Sequence, residues 1–395
     1  MKVFFMCTHC NQATGYARVA NKITNYLADL PGVEVVYYAF QNYPNQHIED
    51  RFIDPRIKFF DAIELDPVSP KGFGDLGIVP TFDAEKPDVL FLYNDLPVCC
   101  AILQMLDAAQ HKAYKTIVYL DIVYPYEDLE RYGYLCKRVD ICLTFLECWR
   151  RHLVEDLGWD SNKVHVLEHG VDNVKEIDSV EAKKKLGFSE TDFIVLNLNR
   201  NSYRKQWVTT IQAFIIFLVR NKFNPRIKLM CGCLPKTEDG YDIEQLIKVE
   251  CLRQKIDFET ISKNHIFVNP MAMRSSEENI NVLYNAADVG LNTCCGEGFG
   301  LTNMEHACLG KFQIVSGVPA FKELLTNHDA IIVDPKVWTV VSRFESHGGD
   351  IAIFDPFDFA GALDYVFNFG STIVKKPRPD RPWKLESLVQ HIGKD

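Results

Sequence analysis

The chain has 395 residues, 47% of them hydrophobic, which is enough for two domains of ordinary size that each bury a core. Its formal net charge of -10 argues against nucleic acid as a partner, because a phosphate backbone is bound mainly by clustered Lys and Arg. No stretch reaches the roughly 18 apolar residues needed to cross a bilayer, and residues 1–7 are too short an apolar run for a signal peptide, so a soluble protein is expected. The 13 cysteines, an odd number with several inside expected strands such as Cys142 and Cys231, read as reduced thiols of a cytoplasmic protein.

Short apolar runs alternate with helical patterns from one end to the other, the sequence form of parallel sheets covered by helices. In the first half, strands are expected at 3–6, 33–38, 88–93, 116–120, 140–145 and 164–167. After the first of them Gly15 opens a helix with Val19, Ile23, Leu27 and Leu30 on one face, ended by Pro31-Gly32. Cys7-x-x-Cys10 precedes it. No second Cys-x-x-Cys completes a four-ligand site, and the pairs Cys99-Cys100 and Cys294-Cys295 show a chain simply rich in cysteine, so no metal or redox role is assigned. The second half repeats the scheme, with strands expected at 193–198, 227–231, 265–268, 289–292, 313–315 and 331–333. Two doubly wound domains follow, divided where the polar, Lys-rich stretch 173–185 interrupts the strands: residues 1–175 and 176–370. Residues 371–395 form a C-terminal segment. Its part 375–381, Lys-Lys-Pro-Arg-Pro-Asp-Arg, is too proline-rich for a helix and precedes a short helix candidate at 384–392. That basic cluster reads as a solvated linker in preference to a contact with an anionic membrane surface.

In open parallel sheets ligands bind beyond the carboxyl ends of strands. The most informative stretch lies there: Glu297-Gly298-Phe299-Gly300-Leu301-Thr302-Asn303-Met304-Glu305, two carboxylates around a glycine-rich turn that leads into a helix. Gly298 and Gly300 let the backbone approach a ligand, and the first N–H groups of the helix attract phosphate. Glu297 and Glu305 can accept hydrogen bonds from two polyol portions of one ligand. Taken alone, Thr302 and Glu305 would also fit a capping box. After the strand at 193–198 comes Asn199-Arg200-Asn201-Ser202-Tyr203-Arg204-Lys205, with cations where a helix begins. A helix start favours acidic residues, so basic ones there point to an anionic ligand. Gly15 could bring backbone N–H groups to a diphosphate or to an acceptor. No Gly-x-Gly-x-x-Gly follows the first strand, which argues against a dinucleotide enzyme.

The pattern from Glu297 to Glu305, with the downstream run 310–323, resembles the donor-binding motif of glycosyltransferase family 4, retaining enzymes of the GT-B fold. The resemblance implies an α/β protein of two Rossmann-like domains with a cleft between them, the first for the acceptor and the second for a nucleotide-sugar donor. It implies that Glu297 lies by the donor sugar and Glu305 binds the ribose hydroxyls. Arg200 and Lys205 match the family's Arg and Lys that neutralise the leaving diphosphate, with Arg204 able to substitute for either. The end of the chain is expected to return to the first domain. Many members carry a histidine near Tyr119-Leu120-Asp121-Ile122; here Asp121 is the polar residue available. Asp121 either orients the sugar or the acceptor hydroxyl, or caps the next helix. His169-Gly170-Val171-Asp172 resembles the turn that ends the family's first domain, Gly170 serving the turn and His169 either structural or close to the donor. The loop 270–274 is where the family holds the nucleobase.

The chain contains no Asp-x-Asp, so transfer without a metal or other cofactor is expected. The resemblance implies retention at the anomeric carbon, with the departing phosphate helping to remove the acceptor proton. GDP-mannose is the leading donor and UDP-sugars come next, with a glycan or another hydroxyl compound as acceptor. A phosphorylase, an epimerase or a non-catalytic nucleotide-sugar-binding protein are the alternatives.

Overall fold

The structure, a computed structural model, describes residues 1–44, 47, 51–111, 113, 115–172, 174–270, 276–342, 347–370 and 381–393. The chain divides into two compact units: Met1–Gly170 with Ser346–Gly349 and Trp383–Asp395, and Val171–Glu345 with Asp350–Pro382. The fold class is the one expected, α/β with two doubly wound, Rossmann-like domains of the GT-B type.

Unit 1 is built on β1 (Lys2–Thr8), β2 (Glu34–Phe40), β3 (Lys58–Asp61), β4 (Val89–Asp95), β5 (Lys115–Asp121), β6 (Ile141–Thr144) and β7 (Val164–Val166). They pair in parallel in the order β3-β2-β1-β4-β5-β6-β7, so the order reverses between β1 and β4. The inner strands are buried along nearly their whole length, as a sheet covered on both faces requires. The first helix runs Gly15–Asp29, and Thr14 Oγ1 accepts the Ala17 N–H at 3.1 Å. Val19, Ile23 and Leu27 are buried as its periodicity requires, and Gly32 takes the left-handed φ of 74° that the following turn needs. Strand β3 had no counterpart in the sequence reading: Lys-Phe-Phe-Asp is four residues at a sheet edge, too short to show a period.

Unit 2 holds β8 (Phe193–Leu198), β9 (Ile227–Gly232), β10 (Ile266–Val268), β11 (Val289–Asn292), β12 (Phe312–Ser316) and β13 (Ala330–Val333). Their parallel order is β10-β9-β8-β11-β12-β13, reversing between β8 and β11. The helix Trp207–Arg220 drives Trp207, Ile211, Phe214 and Phe217 against Val195, Leu229 and Leu291. A separate two-stranded ribbon, β14 (Val337–Val341) with β15 (Gly349–Ile353), was not anticipated, since its first strand is mostly exposed and carries no alternation. Part of the Lys-rich stretch is a helix, Ser179–Lys185, capped by Asp178. Residue 173 and residues 375–380 of the two polar segments lie outside the described residues. The last helix is Ser387–Ile392, and its end is held in unit 1 by Lys115 Nζ, which donates to the Gly393 carbonyl at 2.9 Å. Among the described residues no helix is long and apolar enough to cross a membrane.

His169 closes unit 1 inside a cage of Phe145, Tyr119, Tyr93 and Trp383, with ring centroids 4.1, 5.5, 6.2 and 5.4 Å away. Burial pushes its pKa down to about 3, so it is neutral. A Cβ at Gly170 would come within 2.4 Å of Trp383 Cδ1 and 2.6 Å of the Trp383 backbone nitrogen, neither able to yield easily. Gly170→Ala is therefore expected to lower stability by about 1–3 kcal/mol through overpacking, read as a lower urea midpoint; an unchanged midpoint would show that this packing carries no such load.

Candidate functional site

The order reversal in unit 2 sets the site, because β8 and β11 are paired neighbours and the segments leaving their carboxyl ends meet. After β8 the chain runs through Asn199 to a short 3₁₀ turn, Tyr203–Lys205, and Gln206 at a left-handed φ of 49° passes it into the helix Trp207–Arg220. After β11 it runs through Thr293 to Gly300. The two are stitched together: the Cys295 N–H donates to the Arg204 carbonyl at 2.9 Å, and Thr293 Oγ1 donates to the Gln206 carbonyl at 3.0 Å.

This stitching brings Lys205 and Glu297 into an ion pair in which both side chains are buried. Arg204 approaches from the same turn, its Nη1 donating to the Gly296 carbonyl at 3.0 Å and lying 3.5 Å from Glu297 Oε1. Burial pushes the Glu297 carboxyl up, but the charges and hydrogen bonds of Lys205 and Arg204 more than offset it, so Glu297 titrates below its ordinary range. Arg200 is placed elsewhere. Its guanidinium is largely exposed and pairs with Asp239, so Arg204 is the arginine that joins Lys205 at Glu297.

The helix Leu301–Cys308 begins directly after this cluster. Its N-cap is Gly300, at a left-handed φ of 81°, and a Cβ there would lie 2.4 Å from Phe321 Cε1, so no other residue fits without a shift. No side chain caps this helix, and the capping-box reading of Thr302 and Glu305 is set aside: with Gly300 as the cap, Thr302 stands one residue inside the helix. Phe299 is buried, with the Arg381 guanidinium 6.0 Å from its ring centroid. Gly298 leads into the turn, and Leu301 and Thr302 are half-buried in the first turn. Glu305 is buried and accepts a hydrogen bond from the Tyr284 hydroxyl at 2.7 Å.

In unit 1, Gly15 is the exposed first residue of its helix, behind the Thr14 cap. Asp121 ends β5 and accepts the Tyr16 hydroxyl at 2.7 Å. It does not cap the next helix, Leu129–Arg138, whose N-cap is Asp128, accepting the Arg131 N–H at 3.1 Å. Of the loop 270–274, residues 271–274 lie outside the described residues. Among the described residues no group of three or more His, Cys, Asp or Glu is arranged to hold a metal ion. Tyr16 and Tyr284 escaped the sequence reading, since a tyrosine within an apolar helix face reads as core.

Residues 178–343 match the family model described as Glycosyl transferases group 1. That segment resembles group 1 glycosyl transferases. It contains Arg200, Arg204, Lys205, Tyr284, Glu297 and Glu305. Among solved structures, the sucrose-phosphate synthase of Thermosynechococcus elongatus is 14% identical with a TM-score of 0.68, covering 95% of this chain and 92% of that one. HepE of Anabaena, in complex with UDP and glucose, is 13% identical with a TM-score of 0.65 and the same coverage, 95% and 92%. A UDP-forming trehalose-phosphate synthase of Burkholderia xenovorans is 13% identical with a TM-score of 0.59, covering 93% and 90%. At these identities the likeness speaks for the fold alone. No curated protein matches the chain by sequence.

Because the folded Glu297 pKa lies below its unfolded value, its contribution to stability is present above the ordinary carboxylate range and is lost as pH falls through the lowered folded value. Urea midpoints measured at successive acidic pH values should fall less steeply for Glu297→Gln than for the wild type. Identical slopes would mean that Glu297 is not held ionised by Lys205 and Arg204.

Proposed function

We propose that the chain is a glycosyltransferase of family 4 type that moves a sugar from a nucleoside-diphosphate donor to a hydroxyl acceptor. Unit 2 binds the donor in this reading and unit 1 the acceptor. The observation that carries it is the buried Lys205–Glu297 pair, joined by the half-buried Arg204, at the strand-order reversal and just before the helix capped by Gly300.

Breaking the bond between a sugar and a diphosphate develops negative charge on the leaving phosphate, and the cations and helix start of this site are the groups that stabilise it. Lys205 and Arg204 come first. Arg200 is a further cation at the same strand end, and its exposed pair with Asp239 is weak enough for a phosphate to displace. Glu297 accepts from hydroxyls of the transferred sugar, and Glu305 accepts from the ribose. The acceptor oxygen bonds to the anomeric carbon on the face the phosphate leaves, and the acceptor proton passes to the departing phosphate oxygen, giving retention without a covalent enzyme intermediate or a metal. Asp121, held by Tyr16, orients the acceptor hydroxyl or the sugar, and Gly15 offers its backbone N–H at the start of the helix that follows β1. The 13 cysteines, many of them buried, suit a reducing, cytoplasmic setting.

Two donors compete in this proposal: GDP-mannose, from the frequency of mannosyl transfer in the family, and UDP-glucose, which HepE holds in a solved complex. Thermal melting with each nucleotide sugar separates them, because the bound donor raises the melting temperature and the other does not. A donor that binds while no acceptor yields transfer or free nucleoside diphosphate would favour a non-catalytic binding protein. Lys205→Ala and Glu305→Ala should each weaken donor binding by about 1.5–3 kcal/mol in calorimetry, the range for hydrogen bonds to charged groups. Wild-type affinity in both folded variants would reject these assignments.

A further inference from the structure

We propose that Tyr284 is a positioning residue of the donor site, whose hydroxyl fixes the Glu305 carboxylate in the orientation that receives the ribose hydroxyls. The inference rests on the reading that Glu305 meets the ribose. Tyr284 and Glu305 are 2% and 3% exposed, and a carboxylate so far from water needs donors around it. The phenol hydroxyl supplies one at 2.7 Å, a charge-assisted bond that sets the carboxylate's rotation.

The tyrosine is itself fixed from several sides. Its ring stacks on His306, with centroids 5.4 Å apart and planes 19° from parallel. His306 Nε2 lies 3.0 Å from the Tyr284 carbonyl, which can only accept, so the proton sits on Nε2 and Nδ1 is left to accept from Gln313 Nε2 at 3.1 Å. That tautomer requires a neutral ring, and burial, reinforced by Lys311, pushes the His306 pKa down to about 3. Gln313 Oε1 then accepts from Asn303 Nδ2 at 3.0 Å, and Asn303 Oδ1 from Asn292 Nδ2 at 2.7 Å. The helix carrying Tyr284, Glu277–Ala286, is pinned by Asn281 and Asn285. Asn281 Oδ1 accepts the Lys175 N–H at 2.7 Å, and Asn285 Oδ1 accepts the Ile177 N–H at 3.0 Å. Gly290 makes room for the network, since a Cβ there would lie 2.0 Å from Gln313 Oε1 and 2.8 Å from His306 Nδ1. A buried polar network with each of these members paired is rigid, and this one converges on the residue beside Glu305.

Tyr284→Phe keeps the ring and its stacking and removes only the hydroxyl, so it isolates the proposed bond. The probes are UDP and GDP, each beside its dideoxy analogue lacking both ribose hydroxyls, bound to the wild type, Tyr284→Phe and Glu305→Ala in calorimetry. The wild type should prefer the ribose form of the nucleotide it binds. In Tyr284→Phe the affinity for that form should fall on the order of tenfold while the dideoxy analogue binds as before. Equal losses for both forms would indicate a merely structural tyrosine and overturn the inference. If Glu305→Ala abolishes the preference and Tyr284→Phe retains it, the inference alone fails. A wild type without the preference, or a Glu305→Ala variant that keeps it, removes the ribose reading of Glu305 and the inference with it. The melting temperature of each unliganded variant, taken alongside, shows whether a lost affinity reflects lost structure.

Discussion

A lysine ammonium cannot be buried alone, and in unit 2 that constraint is met by pairing Lys205 with Glu297. The pair forms because two neighbouring strands, β8 and β11, send their following segments to the same place, and the backbone bonds between residues 204–206 and 293–295 hold them there. Glu297 thus has two uses. It is the counter-ion of Lys205 and Arg204, and in the proposed function it is also the carboxylate that faces the transferred sugar. In the proposed function, a site assembled in this way would meet an incoming phosphate with its charges already in position, the condition under which electrostatic stabilisation costs no rearrangement.

The other side of the site depends on small residues and on a buried polar network. Gly300 supplies the left-handed start of the helix Leu301–Cys308, and Phe321 packed against it leaves no space for a side chain. Behind that helix the chain from Tyr284 through His306, Gln313 and Asn303 to Asn292 replaces apolar packing with directed hydrogen bonds. Apolar contacts would tolerate rotation of the helix; a closed set of donors and acceptors does not. The Glu305 carboxylate is thereby held on a helix, whereas Glu297, in the segment before that helix, is held by its bonds to Lys205 and Arg204.

Much of this was legible in the chain before folding. The buried strands read as apolar runs because a parallel sheet covered on both faces leaves no polar alternation, and the segments following β8 and β11 could be singled out from their place at strand ends. Lys205, Glu297 and Glu305 stood out by that position together with the resemblance to a known motif, and the structure pairs the first two. The choice between Arg200 and Arg204 was not available from spacing: both follow the same strand, and only the 3₁₀ turn Tyr203–Lys205 directs Arg204 to Glu297 while Arg200 turns to Asp239. Strand β3 and the β14–β15 ribbon stayed hidden, since an edge strand of four residues and a ribbon whose first strand is mostly exposed bury too little to impose a pattern. Tyr16 and Tyr284 were hidden for another reason. Their rings satisfy the apolar periodicity of their helices, and only the far end of each side chain, meeting Asp121 or Glu305, reveals a polar task.

In the proposed function Lys205 and Arg204, kept inward by Glu297, receive the diphosphate of a nucleotide sugar. A crystal structure with the donor bound tests it most directly. The diphosphate oxygens should lie within hydrogen-bond distance of Lys205 Nζ and of the Arg204 guanidinium, with the first turn after Gly300 facing the same group. A donor seated elsewhere, with the Lys205–Glu297 pair intact and untouched, would contradict it.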